Sequence, residues 1–311
     1  MTGRVINIGT RASHLALTQT RWVMNLLQTA HPNFRFAIVE ITSQGDRDRA
    51  TSLRAIGGQG LFTKALEDAL RQKQIDIAVH SAKDLPSVMI PELTLAAVPE
   101  RESPADCWLS RDGKDFGSIA KGATVGTGSP RRQAQVKHLR PDLQVKDIRG
   151  NIETRLRKLS DGDYDALIMA HAGLRRGGYE DRITSLLDTD TFLPAPGQGA
   201  LAVQTRANDD ELIKLIQTID HAPSHRCLDI ERAVLASLKA GCSTPIGGLA
   251  TIRNDKIALS AVVLDNEGTT ALRAKAERAL TENKDDALVQ DVVEQLLAQG
   301  ADKLIAGHHE S

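Results

Sequence analysis

Apolar and polar positions alternate along the first half of the chain in a repeating order. A short apolar run predicts a strand over 4–9, and apolar Leu15, Val23, Leu26 and Leu27 at helical spacing predict a helix over 15–30. Ser13 is placed to cap that helix, and His31-Pro32 ends it. Further strands are predicted over 36–42, 75–79 and 93–98, with an amphipathic helix over 61–72. A second series follows, with strands over 124–126, 143–148 and 165–170 and helices opening at Pro130 and spanning 152–159. Ser129 stands at the N-cap of the first of these helices, with Pro130 at its first position. A strand over 200–204 and a helix over 210–219 complete the pattern. Strand and helix alternating at this spacing predict an α/β fold with mostly parallel sheets.

Beyond residue 220 the pattern changes. Ser224 is placed to cap a helix through Leu238, and Gly241 to end it. Strands over 249–252, 256–264 and 271–276, separated by Asn254-Asp255 and Asn266-Glu267-Gly268, predict an antiparallel meander. A helix over 287–298 closes a small α+β region.

Prolines mark two crossings, at Pro99 to Pro104 and at Pro194 to Pro196. Paired crossings predict an inserted middle segment. The expected domains are 1–99 with 200–219, then 100–199, then 220–311. The charged, glycine-punctuated stretch 43–60 is expected to be a lid loop.

Composition narrows the function classes. The chain has 311 residues and a formal net charge of −1, so no general basic excess is available to coat a nucleic acid. No signal-peptide region or bilayer-spanning run is expected, which argues against a membrane. Three cysteines, Cys107, Cys227 and Cys242, are too scattered for a disulfide framework or a metal site. The cytoplasm is the expected compartment.

The candidate chemistry lies at strand-to-helix turns. Arg11 follows the first strand, Arg131 and Arg132 open a helix, and Arg149 precedes one. Parallel sheets bind ligands at this edge. Arginine opposes the helix dipole at an N-terminus, so Arg131 and Arg132 imply an anion at that point. Arginine forks match carboxylates and phosphates, and no phosphate-loop spacing is present. Asp84 follows a strand beside Lys83, where a carboxylate can stabilise a developing cation, handle protons or cap a turn. Cys242 stands among Gly241, Ser243, Thr244 and Pro245. Taken alone, this thiol reads as structural, with a reactive role open.

These turns carry a resemblance. Gly9-Thr10-Arg11 with Ser13, Gly57-Gly58 with Gly60-Leu61-Phe62, and His80-Ser81 with Lys83-Asp84 are the first parts of it. Gly126-Thr127 with Ser129, Arg131-Arg132-Gln133, and Arg149-Gly150-Asn151 with Thr154-Arg155 continue it. Pro196-Gly197-Gln198-Gly199-Ala200, Gly241-Cys242 and Pro245-Ile246-Gly247 complete it. Together they resemble the porphobilinogen deaminase, or hydroxymethylbilane synthase, family over essentially the whole chain.

The resemblance implies two lobes like those of a type II binding protein and a third domain. It implies a dipyrromethane cofactor joined by a thioether to Cys242, and a monomer. The implied reaction deaminates porphobilinogen through a cationic azafulvene-type species, adds four units in sequence and releases hydroxymethylbilane. By the same match Asp84, Arg11, Arg149 and Arg155 are the catalytic candidates. Lys83, Thr127, Ser129, Arg131, Arg132, Arg149 and Gly150 are cofactor-holding positions, as is Asp84. Ser13, Phe62, Ser81, Arg176 and Gln198 join the arginines as substrate contacts. The competing reading is a non-catalytic two-lobed protein that binds a carboxylate ligand.

Overall fold

The computed structural model describes residues 4–41, 61–239, 244–282 and 284–307. Its contacts form two compact units, Met1–Glu102 with Gly199–Leu228, and Ser103–Gln198 with Asp229–Ser311.

The first unit begins β1 (Val5–Thr10), α1 (His14–Ala30), β2 (Arg35–Glu40), α2 (Leu61–Arg71), β3 (Ile77–Ser81) and β4 (Leu93–Ala97). The chain then enters the second unit with β5 (Asp106–Ser110), β6 (Thr124–Gly126), α3 (Pro130–Leu139), β7 (Gln144–Lys146), α4 (Ile152–Ser160), β8 (Ala166–Ala170), α5 (His171–Gly177) and β9 (Ser185–Leu186). It returns to the first with β10 (Leu201–Arg206) and α6 (Asp210–Gln217). Helix α7 (Ala222–Ser237) leads out to β11 (Ile246–Arg253), β12 (Lys256–Leu264), β13 (Ala271–Ala279), α8 (Asp285–Ala298) and α9 (Ala301–Gly307).

The two large sheets share one plan. The first has the order β2-β1-β3-β10-β4 and the second β7-β6-β8-β5-β9. In each, four strands run parallel and one runs against its two neighbours. The opposing strand, β10 or β5, is the one that arrives from a crossing. The predicted α/β class with mostly parallel strands therefore holds. No sequence repeat announces this duplication.

Local chemistry explains the helix starts. Ser13 Oγ accepts from Ala16 N–H at 3.3 Å, and Ser129 Oγ accepts from Arg132 N–H at 3.4 Å. Helix α1 buries Val23 and Leu27 against Ile6, Ile8 and Ile77. In the second unit Trp108, Val125, Val136, Ile168 and Phe192 form the corresponding core.

Ser224 differs from its expected role. Helix α7 starts earlier, at Ala222, with Pro223 in its first turn, where a missing N–H costs nothing. Ser224 is buried, and its Oγ accepts from Arg101 N–H at 2.9 Å.

The C-terminal meander packs with the second unit. Leu249, Val262 and Leu264 share a core with Ala134 and Leu193. Glu231 Oε2 accepts from Gly197 N–H at 2.6 Å and Oε1 from Ala250 N–H at 2.9 Å. At Gly268 the φ is +69°, and a Cβ there would lie 2.5 Å from the Ala134 carbonyl. Only glycine lets this turn seat on α3.

A buried polar chain ties α2 to the first sheet. His80 Nε2 lies 2.9 Å from Gln204 Oε1, and Gln204 Nε2 lies 3.4 Å from Glu67 Oε1. Burial lowers the His80 pKa from 6.5 to about 4, against the bond to Gln204. Between those values the unfolded chain binds the proton and the folded chain does not. Stability should therefore fall as pH drops through that window, by about 3 kcal/mol in total. Urea midpoints measured at stepped pH should show a shallower slope in His80→Gln. An unchanged slope would count against the assignment.

Candidate active site

In the first sheet the chain passes from β1 to β2 on one side and reaches β3 on the other. This makes a switch point at the C-terminal ends of β1 and β3, where open α/β sheets bind ligands. These strands lie side by side, with Ile8 opposite Ile77 and Gly9 opposite Ala78. Arg11 and Ser13 follow β1, Ser81 ends β3, and Lys83 and Asp84 occupy the 3₁₀ turn Ala82–Asp84. Ser81 Oγ donates to Gln19 Oε1 at 3.2 Å. The turn is pinned by Ala82 N–H bonding to Ala200 O at 3.0 Å and by the buried side chains of Ala82 and Leu85. Asp84 is left exposed and Lys83 half-buried. The sequence motif thus sets a carboxylate at the switch point on a fixed turn.

The second sheet repeats the arrangement between β6 and β8. Thr127, fully buried, and Ser129 follow β6. Thr127 Oγ1 accepts from Ser129 N–H at 3.3 Å. Arg149 and Gly150 follow β7. Arg149 is exposed, with Nε 3.4 Å from Asp147 Oδ2. Gly150 has φ +115°, and a Cβ there would meet Thr154 Cγ2 at 2.6 Å. This glycine lets its carbonyl accept from Arg155 Nε at 2.8 Å. Arg155 is half-buried, and burial and then the Arg132 charge push its pKa down. Among the described residues no carboxylate lies within ion-pair distance of Arg155. A desolvated cation in that position suits an arriving anion. Arg176 lies in the last turn of α5, half-buried, rather than at a strand end.

Three of the expected site residues, Arg131, Arg132 and Gln198, lie in the interior. An anion does face Arg131 and Arg132, but it is internal. Asp106 has no exposed surface, Arg131 retains 4% and Arg132 7%. Arg131 Nη1 donates to Asp106 Oδ2 at 2.7 Å, and Arg132 Nη2 donates to Asp106 Oδ1 at 2.7 Å. Gln198, expected to touch substrate, is also interior. Its Nε2 donates to Asp106 Oδ1 at 2.8 Å and to the Pro104 carbonyl at 2.7 Å. The physical reason is shared, since a buried carboxylate needs several donors to replace water. Burial alone would raise the Asp106 pKa, but the two guanidinium groups outweigh it and hold the carboxyl well below the usual range.

Sequence reasoning missed Asp106 and the strand it opens. The one available signal was the arginine pair, whose partner stands 25 residues away. Cys242, the Phe62 side chain and the lid stretch 43–60 lie outside the described residues. Helix α7 ends at Ser237 and β11 opens at Ile246, on either side of Cys242. The other two cysteines are buried, and burial pushes the Cys107 thiol up to about 12.

Comparison with known proteins supplies the context for these turns. Residues 6–214 match the family described as porphobilinogen deaminase, dipyromethane cofactor binding domain. Residues 225–298 match the porphobilinogen deaminase C-terminal domain. A porphobilinogen deaminase of Shouchella clausii is 45% identical over 304 residues, covering 97% of this chain and 96% of the relative. That of Roseiflexus castenholzii is 42% identical over 302 residues, covering 97% and 99%. Both sheet edges and the C-terminal meander lie within these matches, and the chain belongs to the porphobilinogen deaminase family.

Proposed function

We propose that Cys242 carries the dipyrromethane primer through a thioether and that Asp84 promotes the deamination of each incoming porphobilinogen. The overall reaction follows from the family. It is the head-to-tail condensation of four porphobilinogen molecules to hydroxymethylbilane in tetrapyrrole biosynthesis, which makes the chain a transferase. Family membership also sets aside the reading as a non-catalytic binding protein.

The donor set suits a cofactor and substrate rich in carboxylates. Each pyrrole carries an acetate and a propionate, and Arg155 is a half-buried cation with no carboxylate within ion-pair distance among the described residues, the charge of Asp147 reaching it only from farther away. This is the observation that carries the assignment. When bound, the dipyrromethane supplies the pyrrole carbon to which the first new ring is joined.

The residues divide the remaining work. Lys83, Thr127, Ser129 and Gly150 hold the cofactor, with Lys83 neutralising a carboxylate and the hydroxyls accepting or donating at its edge. Arg11, Arg149 and Arg155 bind the carboxylates of the arriving ring and orient its aminomethyl group. Asp84, exposed on its turn, stabilises the positive charge that develops on the substrate as ammonia departs. Ser13, Ser81 and Arg176 add polar contacts to substrate, and Phe62 stacks on a pyrrole face. Arg131 and Arg132 contribute positive potential from the interior.

The protein acts as a cytoplasmic monomer without a nucleic-acid partner. Incubation with porphobilinogen should release four equivalents of ammonia for each hydroxymethylbilane formed. Porphobilinogen bound and recovered intact, with no ammonia released, would overturn the reading.

A further inference from the structure

The chemistry at the edge of the second sheet rests on an interior cluster whose charges do not cancel. Asp106 Oδ1 accepts from Arg132 Nε at 3.0 Å, from Arg132 Nη2 at 2.7 Å and from Gln198 Nε2 at 2.8 Å. Its Oδ2 accepts from Arg131 Nη1 at 2.7 Å. One carboxylate therefore faces two guanidinium groups. Among the described residues no second carboxylate bonds to either, so the cluster keeps one surplus positive charge. Arg131 Nε is buried and has no hydrogen-bond partner among the described residues.

The same cluster joins the elements that carry the site. Asp106 opens β5 and pairs with Ala170, the last residue of β8. Arg131 and Arg132 sit in the first turn of α3, directly after Thr127 and Ser129. Arg132 Nη1 also donates to the Ile168 carbonyl at 3.2 Å, and Arg131 Nη1 to the Leu193 carbonyl at 2.7 Å. Gln198 and Leu193 belong to the second crossing. A single buried carboxylate thus fastens the α3 start, the β8 end and the crossing to one another.

We propose that Asp106 is a positioning residue for the cofactor-holding edge of the second unit. It neutralises one of the two guanidinium charges and fixes both groups, leaving one net positive charge behind the turn Thr127–Ser129. That remaining charge is matched by an anion, which under the proposed function is a carboxylate of the dipyrromethane. The inference rests on that function for the identity of the anion, but not for the role of Asp106.

Two variants test it. Asp106→Asn keeps the shape and removes the charge. Asp106→Ala removes the carboxylate and leaves room for formate, which has the same charge and nearly the same size as the missing group. In Asp106→Asn the share of molecules carrying the dipyrromethane mass should fall about tenfold or more, because two buried like charges then face each other. In Asp106→Ala formate should raise the melting temperature and restore the adduct, and neutral formamide should do neither. If that chain folds only with added anion, formate-dependent folding gives the same answer. Full loading and unchanged KM in Asp106→Asn would overturn the proposal. So would an equal response of Asp106→Ala to formate and formamide, or no response to either. Formate-specific melting together with an unmodified native protein would uphold the role of Asp106 and reject the assigned cofactor.

Discussion

Replacing Cys242 by serine should remove both the bound dipyrromethane and the activity. The native protein should exceed its sequence mass by one dipyrromethane, and Cys242→Ser should match its sequence mass. Serine keeps the size and polarity of the site but is a much weaker nucleophile than a thiolate. No other cysteine is placed to substitute. Cys107 and Cys227 are buried, and burial pushes the Cys107 thiol up to about 12, away from the reactive thiolate form. Hydroxymethylbilane formation should fall below detection, while the melting temperature stays close to that of native protein freed of its cofactor. An unmodified native protein with full activity would refute the anchoring role.

Asp84→Ala should leave a folded, cofactor-bearing protein with little turnover. Asp84 is exposed on a turn held by Ala82 and Leu85, so its removal opens no cavity and breaks none of the contacts that fix the turn. The loss should be about a hundredfold or more in kcat, the scale on which a positioned charge or proton-transfer group acts. Asp84→Asn should behave in the same way, because the role depends on negative charge. Asp84→Glu should recover part of the rate. Near-native kcat in both neutral variants, measured by product formation, would remove Asp84 from the chemistry.

Much of this architecture is legible in the sequence because its signals are local. A cap bonds three residues ahead, as Ser13 does to Ala16 and Ser129 to Arg132. A βα turn announces itself through an apolar run followed by glycine, serine or arginine. Those signals locate Arg11, Asp84, Thr127 and Arg149 at strand ends. What is not legible is long-range pairing. Asp106 opens a strand of five residues directly after the crossing that ends at Pro104, too short for its alternation to stand out, and its partners lie in a helix and at the second crossing. The arginine pair correctly implies an anion, but periodicity cannot tell an internal carboxylate from a ligand. Ser224 fails as a cap for a related reason. Its hydroxyl is claimed by Arg101, a partner distant in sequence, while the helix begins two residues earlier.

The interleaved strand order also governs how the chain is made. Strand β10 sits between β3 and β4, so β4 has no sheet neighbour until residues 201–206 have been synthesised. The second sheet, by contrast, is complete within one continuous run from Asp106 to Leu186. Translation of residues 103–198 occupies roughly 5–20 s at ordinary rates. During that interval the nascent first sheet presents unpaired edges on β3 and β4, the kind of surface that aggregates or recruits chaperones. The part of the protein that emerges first is therefore the part that finishes folding after its own insert.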